Sequence, residues 1–376
     1  MFIADMMGSW VVNNRSGKRI LDPAIGLGIF IRSILKENEE KINDFEFSGY
    51  EIDPEMIEKT KNLFLDSGAN IQFHNQDFLD DWESKYDGII CNPPYLKFHN
   101  YNNKDLILSF KEKLERNFSG LTNIYTLFIL KALEQLNKGG RAAFIVPSEF
   151  MNADYGKEIK KYLIETKMLR FIIIVEFDVG VFEEAITTSS ILLFANDDNS
   201  SDVQFIDVNN SIDFNLIKSK LFFYPKQGKI GKIKKITELD ETKKWRSYYK
   251  DVNGDKYKNL VPFSKYAKVM RGIATGANKY FTFSESERQK NKIKSEFLLP
   301  CLTKANQIKK SFFDHSDFEK LKKEGKAIYL LNATDLGDPN LNRYIKKGEK
   351  EGINERYLTK NRNPWYSLEN RPHPPY

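Results

Sequence analysis

The sequence predicts an α/β fold, a doubly wound and mainly parallel sheet, followed by a second, basic domain. Strand-like runs alternate with helical periodicity through residues 1–200, the pattern of βα units. Polar side chains stand where several of those strands end, as they do at the ligand edge of such sheets. The formal charge of +6 also conceals a division. Residues 1–200 hold 22 Lys and Arg against 31 Asp and Glu, a net −9, whereas residues 201–376 hold 36 against 21, a net +15.

Composition narrows the class further. A chain of 376 residues with 41% hydrophobic content has material for two domains. Cys91 and Cys301 are too distant in sequence to suggest a disulfide framework or a zinc site. The four histidines stand in no metal-ligand spacing, so no metal is expected. There is no signal peptide and no apolar run near the ~18 residues of a membrane span. A cytoplasmic protein with no membrane partner is the expectation. The basic half is either a solvated lysine surface or the footprint of a polyanion.

In chain order the expected strands are KRILD (18–22), FEFSGYEI (45–52), NIQFHN (70–75), YDGIICN (86–92), RAAFIV (141–146) and RFIIIVEF (170–177). Between the fourth and fifth, apolar residues at Ile124, Leu127, Leu130, Leu133 and Leu136 mark a helix that Gly139-Gly140 should stop. After NDDNSSD (196–202) the alternation fades into short aromatic-rich segments between lysines, which places a domain boundary near 200. The expected domains are thus 1–200 and 201–376.

The first strand runs into LDPAIGLGIFIRSIL (21–35), where Gly26 and Gly28 allow a tight turn and close ligand approach. Asp22 is the informative residue. A carboxylate at that strand end opposes a pyrophosphate, and no Lys-Ser or Lys-Thr follows the glycines as a P-loop requires. It suits a ligand with an ammonium group, such as the methionine part of S-adenosylmethionine. The second strand ends in GYEIDPEM (49–56), whose Glu51 can accept both hydroxyls of a ribose. In NQDF (75–78), Asp77 can accept from an adenine amine while Phe78 packs on its ring. The fourth strand delivers CNPPY (91–95), which ends the strand because proline has no N–H and a fixed φ. Cys91 is read as a buried strand residue, since a reactive thiolate needs an electropositive, accessible setting.

LDPAIGLG, GYEIDP, NQDF, CNPPY, NIYTLF and VFEEAITTSSILLF follow one another across residues 21–194. In this order they resemble the γ group of N6-adenine DNA methyltransferases, amino methyltransferases of restriction–modification systems. The resemblance implies a seven-stranded class I methyltransferase sheet, a C-terminal mixed α+β DNA-recognition domain, S-adenosylmethionine as cofactor and duplex DNA as partner. Asp22, Ala24, Gly26, Glu51, Ile52, Asp77, Phe78 and Phe128 fall where that family binds cofactor, with Gly28 in the same turn. Asn92, Pro93, Pro94 and Tyr95 fall on its catalytic motif. Phe182 falls on its second base-stacking aromatic.

The basic half resembles the family more loosely. VMRGIATGANKYFTF (269–283) and RNPWYSL (362–368) are similar to segments of larger adenine methyltransferases that also carry restriction activity. Arg271, Thr275, Asn278 and Lys279 are candidate DNA contacts, because Gly272 and Gly276 allow close backbone approach. Trp365 is expected in the core. FIADMMGSW (2–10) begins just after the family's usual Thr-Pro, and RPHPPY (371–376) ends where relatives continue. A fragment or shortened frame of a larger enzyme is therefore expected, with a restriction endonuclease or the missing segments as further partners. Glutamine-N5 protein and RNA methyltransferases share Asn-Pro-Pro-Tyr but lack the long basic domain. A DNA-binding subunit without activity would keep both halves, and a methyl-transfer assay separates it from an enzyme. A nicotinamide dehydrogenase would leave Asn-Pro-Pro-Tyr unexplained.

Overall fold

The computed structural model describes residues 2–13, 17–95, 103–118, 122–175, 188–199, 201–208, 211–250, 259–268, 270–333 and 336–369. The chain divides into two compact units, 1–258 and 259–376.

The first unit is built on nine strands: β1 (Arg19–Asp22), β2 (Glu46–Tyr50), β3 (Asn70–His74), β4 (Tyr86–Cys91), β5 (Leu136–Pro147), β6 (Leu169–Val175), β7 (Ser189–Ala195), β8 (Asp202–Val208) and β9 (Lys232–Lys235). They pair in the order β3-β2-β1-β4-β5-β7-β6-β8-β9. The neighbours from β3 across to β5 are parallel, whereas β7 runs antiparallel to both β5 and β6. The seven strands implied by the resemblance are therefore present, and two more extend the sheet beyond β6. β8 is parallel to β6, and β9 closes the edge antiparallel to β8. The expected boundary near 200 falls between β7 and β8, and the sheet continues across it because β8 is a buried apolar run (Val203, Phe205, Ile206, Val208). The edge strand β9 reads KIKK, and its lysines discourage further strand pairing.

Helices cover both faces, as a sheet of buried Ile, Leu and Val strands requires. On one face lie α1 (Phe2–Val12), α2 (Ile29–Glu37), α3 (Pro54–Phe64) and α7 (Ser211–Leu221); on the other lie α5 (Ile124–Glu134) and α6 (Gly156–Thr166). A further helix, α4 (Asn103–Leu114), packs Phe110 into the second face. Helix α5 ends at Glu134, five residues before the glycines expected to stop it. Those glycines lie in β5 instead, where the pairing with β4 shifts register between Tyr86 and Gly88. At Gly140 a Cβ would come 2.7 Å from the Asp87 carbonyl oxygen, so only glycine fits the shifted register.

Trp10 is the main tie between α1 and the sheet. Fully buried, it donates from Nε1 to the carbonyls of Ala142 in β5 (3.1 Å) and Phe194 in β7 (3.2 Å). Its ring meets Phe171 and Tyr224 edge-on, and the Arg141 guanidinium lies 4.6 Å from it.

The second unit is the expected mixed α+β domain. A small antiparallel sheet orders β10 (Thr282–Phe283), β12 (Tyr329–Leu331) and β11 (Leu298–Pro300). Tyr280 and Tyr344 stack at 4.7 Å, and each hydroxyl donates to the other's backbone carbonyl. Helix Pro339–Lys350 passes the pair so closely that a Cβ at Gly348 would meet the Tyr280 hydroxyl at 2.5 Å. Trp365 packs against Tyr280 and Phe281 in this core.

Trp10→Ala is expected to cost about 3–5 kcal/mol of stability in urea unfolding, the range for emptying a buried tryptophan site. Trp10→Phe keeps most of the volume and loses the N–H, so it should cost less than the alanine variant; equal costs would mean that packing contributes little here.

Candidate active site

Parallel pairing sets the site. β1 and β4 are neighbours, with Ile20 opposite Gly88 and Leu21 opposite Ile89, so Asp22 and Asn92 emerge at the same edge of the sheet. β2 lies on the other side of β1 and brings Glu51 there; β3 brings Asp77. The turn after β1 is held against β2 by the Ile25 N–H, which donates to the Tyr50 carbonyl (2.9 Å). Glu51 accepts from the N–H of Gly26 (3.2 Å) and of Asp53 (3.1 Å), which fixes its carboxylate over the turn. Asn75, a residue sequence reasoning missed, donates to the carbonyls of Glu51 and Ile52 and ties the ends of β2 and β3 together. Its signal was its place just before Asp77.

The two glycines divide their work. Gly26 has φ of +48° and open space where a Cβ would stand, which leaves room for a ligand. Gly28 has φ of +69° and lies against Phe64, whose ring a Cβ would meet at 2.4 Å. Gly28 therefore serves the packing of α2 on α3.

Asp22 is fully buried. One carboxylate oxygen accepts from the Ala24 N–H (3.2 Å); the other is buried with no hydrogen-bond partner. Burial raises its pKa to about 7, the Ala24 bond lowers it, and the nearby Glu51 charge adds to the rise. A carboxyl so placed keeps its proton or takes a cationic partner. Asp77 accepts from the Leu79 N–H (2.9 Å), and burial raises its pKa as well. Phe78 is buried between Tyr50 and Phe128, with ring centroids at 5.6 and 5.4 Å. Ala24 is half-buried at the turn, and Ile52 is exposed beyond Glu51.

At the end of β4, Tyr95 donates from its hydroxyl to Asn92 Oδ1 (2.6 Å) and lies 3.1 Å from the Ile145 carbonyl oxygen. Its ring meets Tyr125 edge-on at 6.3 Å. Tyr125 opens a polar network that the sequence did not suggest. Its hydroxyl lies 2.8 Å from that of Tyr155, Tyr155 donates to Glu149 (2.9 Å), and Asn123 donates to Glu149 (2.7 Å) and Tyr155 (3.1 Å). Cys91 is buried, and burial with the Asp22 charge pushes its thiol well above the ordinary value, which leaves no reactive thiolate. Phe182 lies outside the described residues.

With this edge in place, the comparisons with known proteins are decisive. The N-6 DNA Methylase family profile matches residues 2–268, and that of the C-terminal domain of Type II methyltransferase M.Eco57I matches residues 233–376. The chain belongs to the N-6 DNA methylase family. This methylase is 46% identical over 370 residues to Type II methyltransferase M.AccI of Acinetobacter calcoaceticus, covering 98% of the chain and 68% of that protein. It is 30% identical over 167 residues to modification methylase CviBIII of Paramecium bursaria Chlorella virus NC1A, covering 44% of the chain and 40% of the relative. The crystal structure of a type I restriction–modification methyltransferase subunit from Streptococcus thermophilus shares the fold, with a TM-score of 0.55 at 18% identity over 66% of this chain and 58% of that one. No helix among the described residues is long and apolar enough to cross a membrane.

One residue of the methylase edge was invisible in the sequence. Lys131 on α5 is fully buried, where a helical lysine is ordinarily solvated. Its Nζ lies 3.5 Å from the centroid of the Phe78 ring and donates to Gln135 Oε1 (2.9 Å), and Gln135 in turn donates to the Asp81 carbonyl (2.9 Å). Burial lowers its pKa to about 7, while Asp81, Asp77 and Asp80 pull it back up. The cation thus holds Phe78 from behind.

In the second unit, the two segments singled out from sequence form one element. Arg362 donates to the carbonyls of Ala274 and, at 3.1 Å, Thr275, clamping the loop. Thr275, expected as a DNA contact, is buried; its hydroxyl donates to Asn278 Oδ1 and accepts from the Ala277 N–H, so it shapes the loop. Asn278 and Lys279 are exposed beside it. Arg271 is exposed and pairs with Glu369 at 3.4 Å.

Lys131 gives a test by pH. Its folded pKa lies below the ~10.4 of an unfolded lysine, so its destabilising effect is full below pH 7 and is relieved as pH rises toward 10. Urea unfolding at pH 7 and 9.5 should show wild type gaining stability relative to Lys131→Met. A constant difference between the two proteins would mean that Lys131 is not held in that environment.

Proposed function

We propose that the chain is a site-specific DNA methyltransferase that moves a methyl group from S-adenosylmethionine to the N6 amine of an adenine extruded from a duplex, within a restriction–modification system. One observation carries the reading: an unpaired, buried carboxylate (Asp22) and an exposed amide acceptor (Asn92) at the same edge, on adjacent parallel strands. The donor set fits the cofactor. Asp22 would take the ammonium, Glu51 the ribose hydroxyls and Asp77 the adenine amine, with Phe78 and Phe128 against the ring. Ala24, Gly26 and Ile52 would line the space between. Bound there, S-adenosylmethionine supplies an electrophilic sulfonium methyl.

The chain's own residues do the rest. An exocyclic adenine amine is a poor nucleophile because its lone pair is delocalised into the ring. Asn92 Oδ1 and the Pro93 carbonyl accept hydrogen bonds from its two N–H groups, which draws the nitrogen toward tetrahedral geometry and localises the lone pair. After the methyl is transferred, one of those protons leaves to solvent. Pro93 and Pro94 keep that carbonyl fixed, so little reorganisation is needed when charge develops. Tyr95 offers its face to the extruded base. To present Oδ1 to the amine, Asn92 gives up the bond from the Tyr95 hydroxyl. In the second unit, Arg271, Asn278 and Lys279 contact DNA from a loop that Thr275 and Arg362 shape. Labelled S-adenosylmethionine with mixed-sequence duplex should yield labelled N6-methyladenine on nucleoside analysis; label in cytosine, or none in DNA, overturns the reading.

Asn92→Ala should lower the single-turnover methylation rate by about 10²–10³, the range for losing one preorganised transition-state partner, with cofactor and DNA affinities nearly unchanged. A rate within a few-fold of wild type would remove Asn92 from the chemistry.

Cofactor binding should also move a proton. Below pH 7 the apo Asp22 carboxyl is largely protonated, because burial has raised its pKa to about 7. An arriving ammonium favours the carboxylate, so binding at pH 6 should release a proton. Calorimetry in two buffers of different ionisation enthalpy measures it. Asp22→Asn should bind without that release; an identical release in both proteins points to another group.

A further inference from the structure

We infer that helix Pro339–Lys350 and the neighbouring loop 274–279 form one track for the sugar–phosphate backbone of duplex DNA. Arg343, Lys346, Lys347 and Lys350 serve as phosphate contacts along the helix, and Lys279 and Arg356 serve beside the loop. The inference rests on the reading that this chain acts on DNA and names where its second unit holds the duplex.

Helical periodicity puts the cations where they are. Leu341, Ile345 and Gly348 face the core of the second unit and are buried. Arg343, Lys346, Lys347 and Lys350, offset from them by one or two residues, are all exposed. From 343 to 350 the face advances about 10 Å along the axis, which spans roughly three phosphate steps of one DNA strand. The four side chains line a groove of about 680 Å³ floored by Leu336, Gly337 and Pro339. Lys347 also lines a second cavity of about 740 Å³, which opens on Thr275, Asn278, Lys279 and Arg356 and has Glu351 as its one acid among the described residues. Lys347 is thus common to the helix groove and to the cavity at the loop that the sequence singled out for DNA contact.

Charge in this region is poorly compensated. Residues 259–376 hold 23 Lys and Arg against 13 Asp and Glu, a net +10. Lys347 faces Glu351 at 3.7 Å, Glu349 accepts from the Trp365 Nε1 (3.1 Å), and Asp338 at the helix start pairs with Lys294 (3.0 Å). Among the described residues, no carboxylate pairs with Arg343, Lys346, Lys350, Lys279 or Arg356. Like charges three and four residues apart destabilise a helix, and a polyanion laid along the face removes that repulsion. A compact anion would use one end of the groove; two neighbouring cavities that share Lys347 and a row of cations about 10 Å long suit an extended chain of phosphates.

The full-length protein tests this with a matched pair of variants. Arg343→Gln, Lys346→Gln and Lys350→Gln together remove three positive charges from the track. Lys320→Gln, Lys323→Gln and Lys326→Gln together remove three from exposed sites outside both cavities. Binding to a mixed-sequence duplex is followed by fluorescence anisotropy over a salt series. Each lost phosphate contact lowers the slope of log K against log salt by about 0.9, so the track variant should lose about 2.7 and bind at least tenfold more weakly at low salt. The outlying variant should lose less than about 1. Lys346→Gln alone, the least intrusive change, should lose about 0.9, which keeps the test valid if the triple variant folds poorly. An unchanged slope in Lys346→Gln, or equal losses in the two triple variants, overturns the track. Failure of wild type to bind duplex at all would sink the DNA reading itself, a different result from wild-type binding that the track variant leaves intact.

Discussion

The burial of a carboxylate at the end of a central strand is the constraint on which this edge of the sheet depends. Asp22 sits between β2 and β4, where water does not reach it, with one backbone N–H and an unpaired oxygen. A charge in that position is tolerated only if a complementary charge arrives or a proton stays. Everything nearby conforms to it. The Ile25–Tyr50 bond holds the turn open, Gly26 leaves space above it, and Glu51 is steered onto the Gly26 and Asp53 N–H groups. Lys131 is the counterpart with the sign reversed: a buried amine set over the face of Phe78 and bonded to Gln135.

Much of this was legible because parallel sheets concentrate ligand groups at strand ends, and strand ends are marked by abrupt changes of residue type. Asp22, Glu51 and Asn92 each break an apolar run and Asp77 follows a polar strand end, so the βα alternation already set all four at strand ends on one edge of the sheet. Residues that act from within an element gave no such mark. Lys131 lies in a helical pattern where a lysine reads as solvent-facing, and only tertiary packing buries it. Gly139 and Gly140 read as a helix stop, because a shift of register between β4 and β5 leaves no trace in periodicity. Thr275 reads as a surface contact in a glycine-rich loop, yet the loop turns its hydroxyl inward.

The two halves of the chain use charge differently. In the first, isolated charges are buried singly and tuned by a few neighbours, which suits recognition of one small, polar molecule. In the second, charges are many, exposed and arranged by helical repeat beside the loop that Arg362 clamps. The link between RNPWYSL and the glycine loop is a side-chain-to-backbone contact across 87 residues, which no local pattern could announce.

The continuation of the sheet through β8 and β9 bears on how such proteins exchange parts. A recombination joint near residue 200 would sever β8 from β6 and bare a row of unpaired backbone groups along an apolar strand. A joint near residue 258 leaves all nine strands with their partners and passes on a unit that keeps its own sheet and its own core. A swap of the last third of the chain would therefore leave the nine-stranded sheet whole, and the lysine-bearing edge strand would stay with the larger unit.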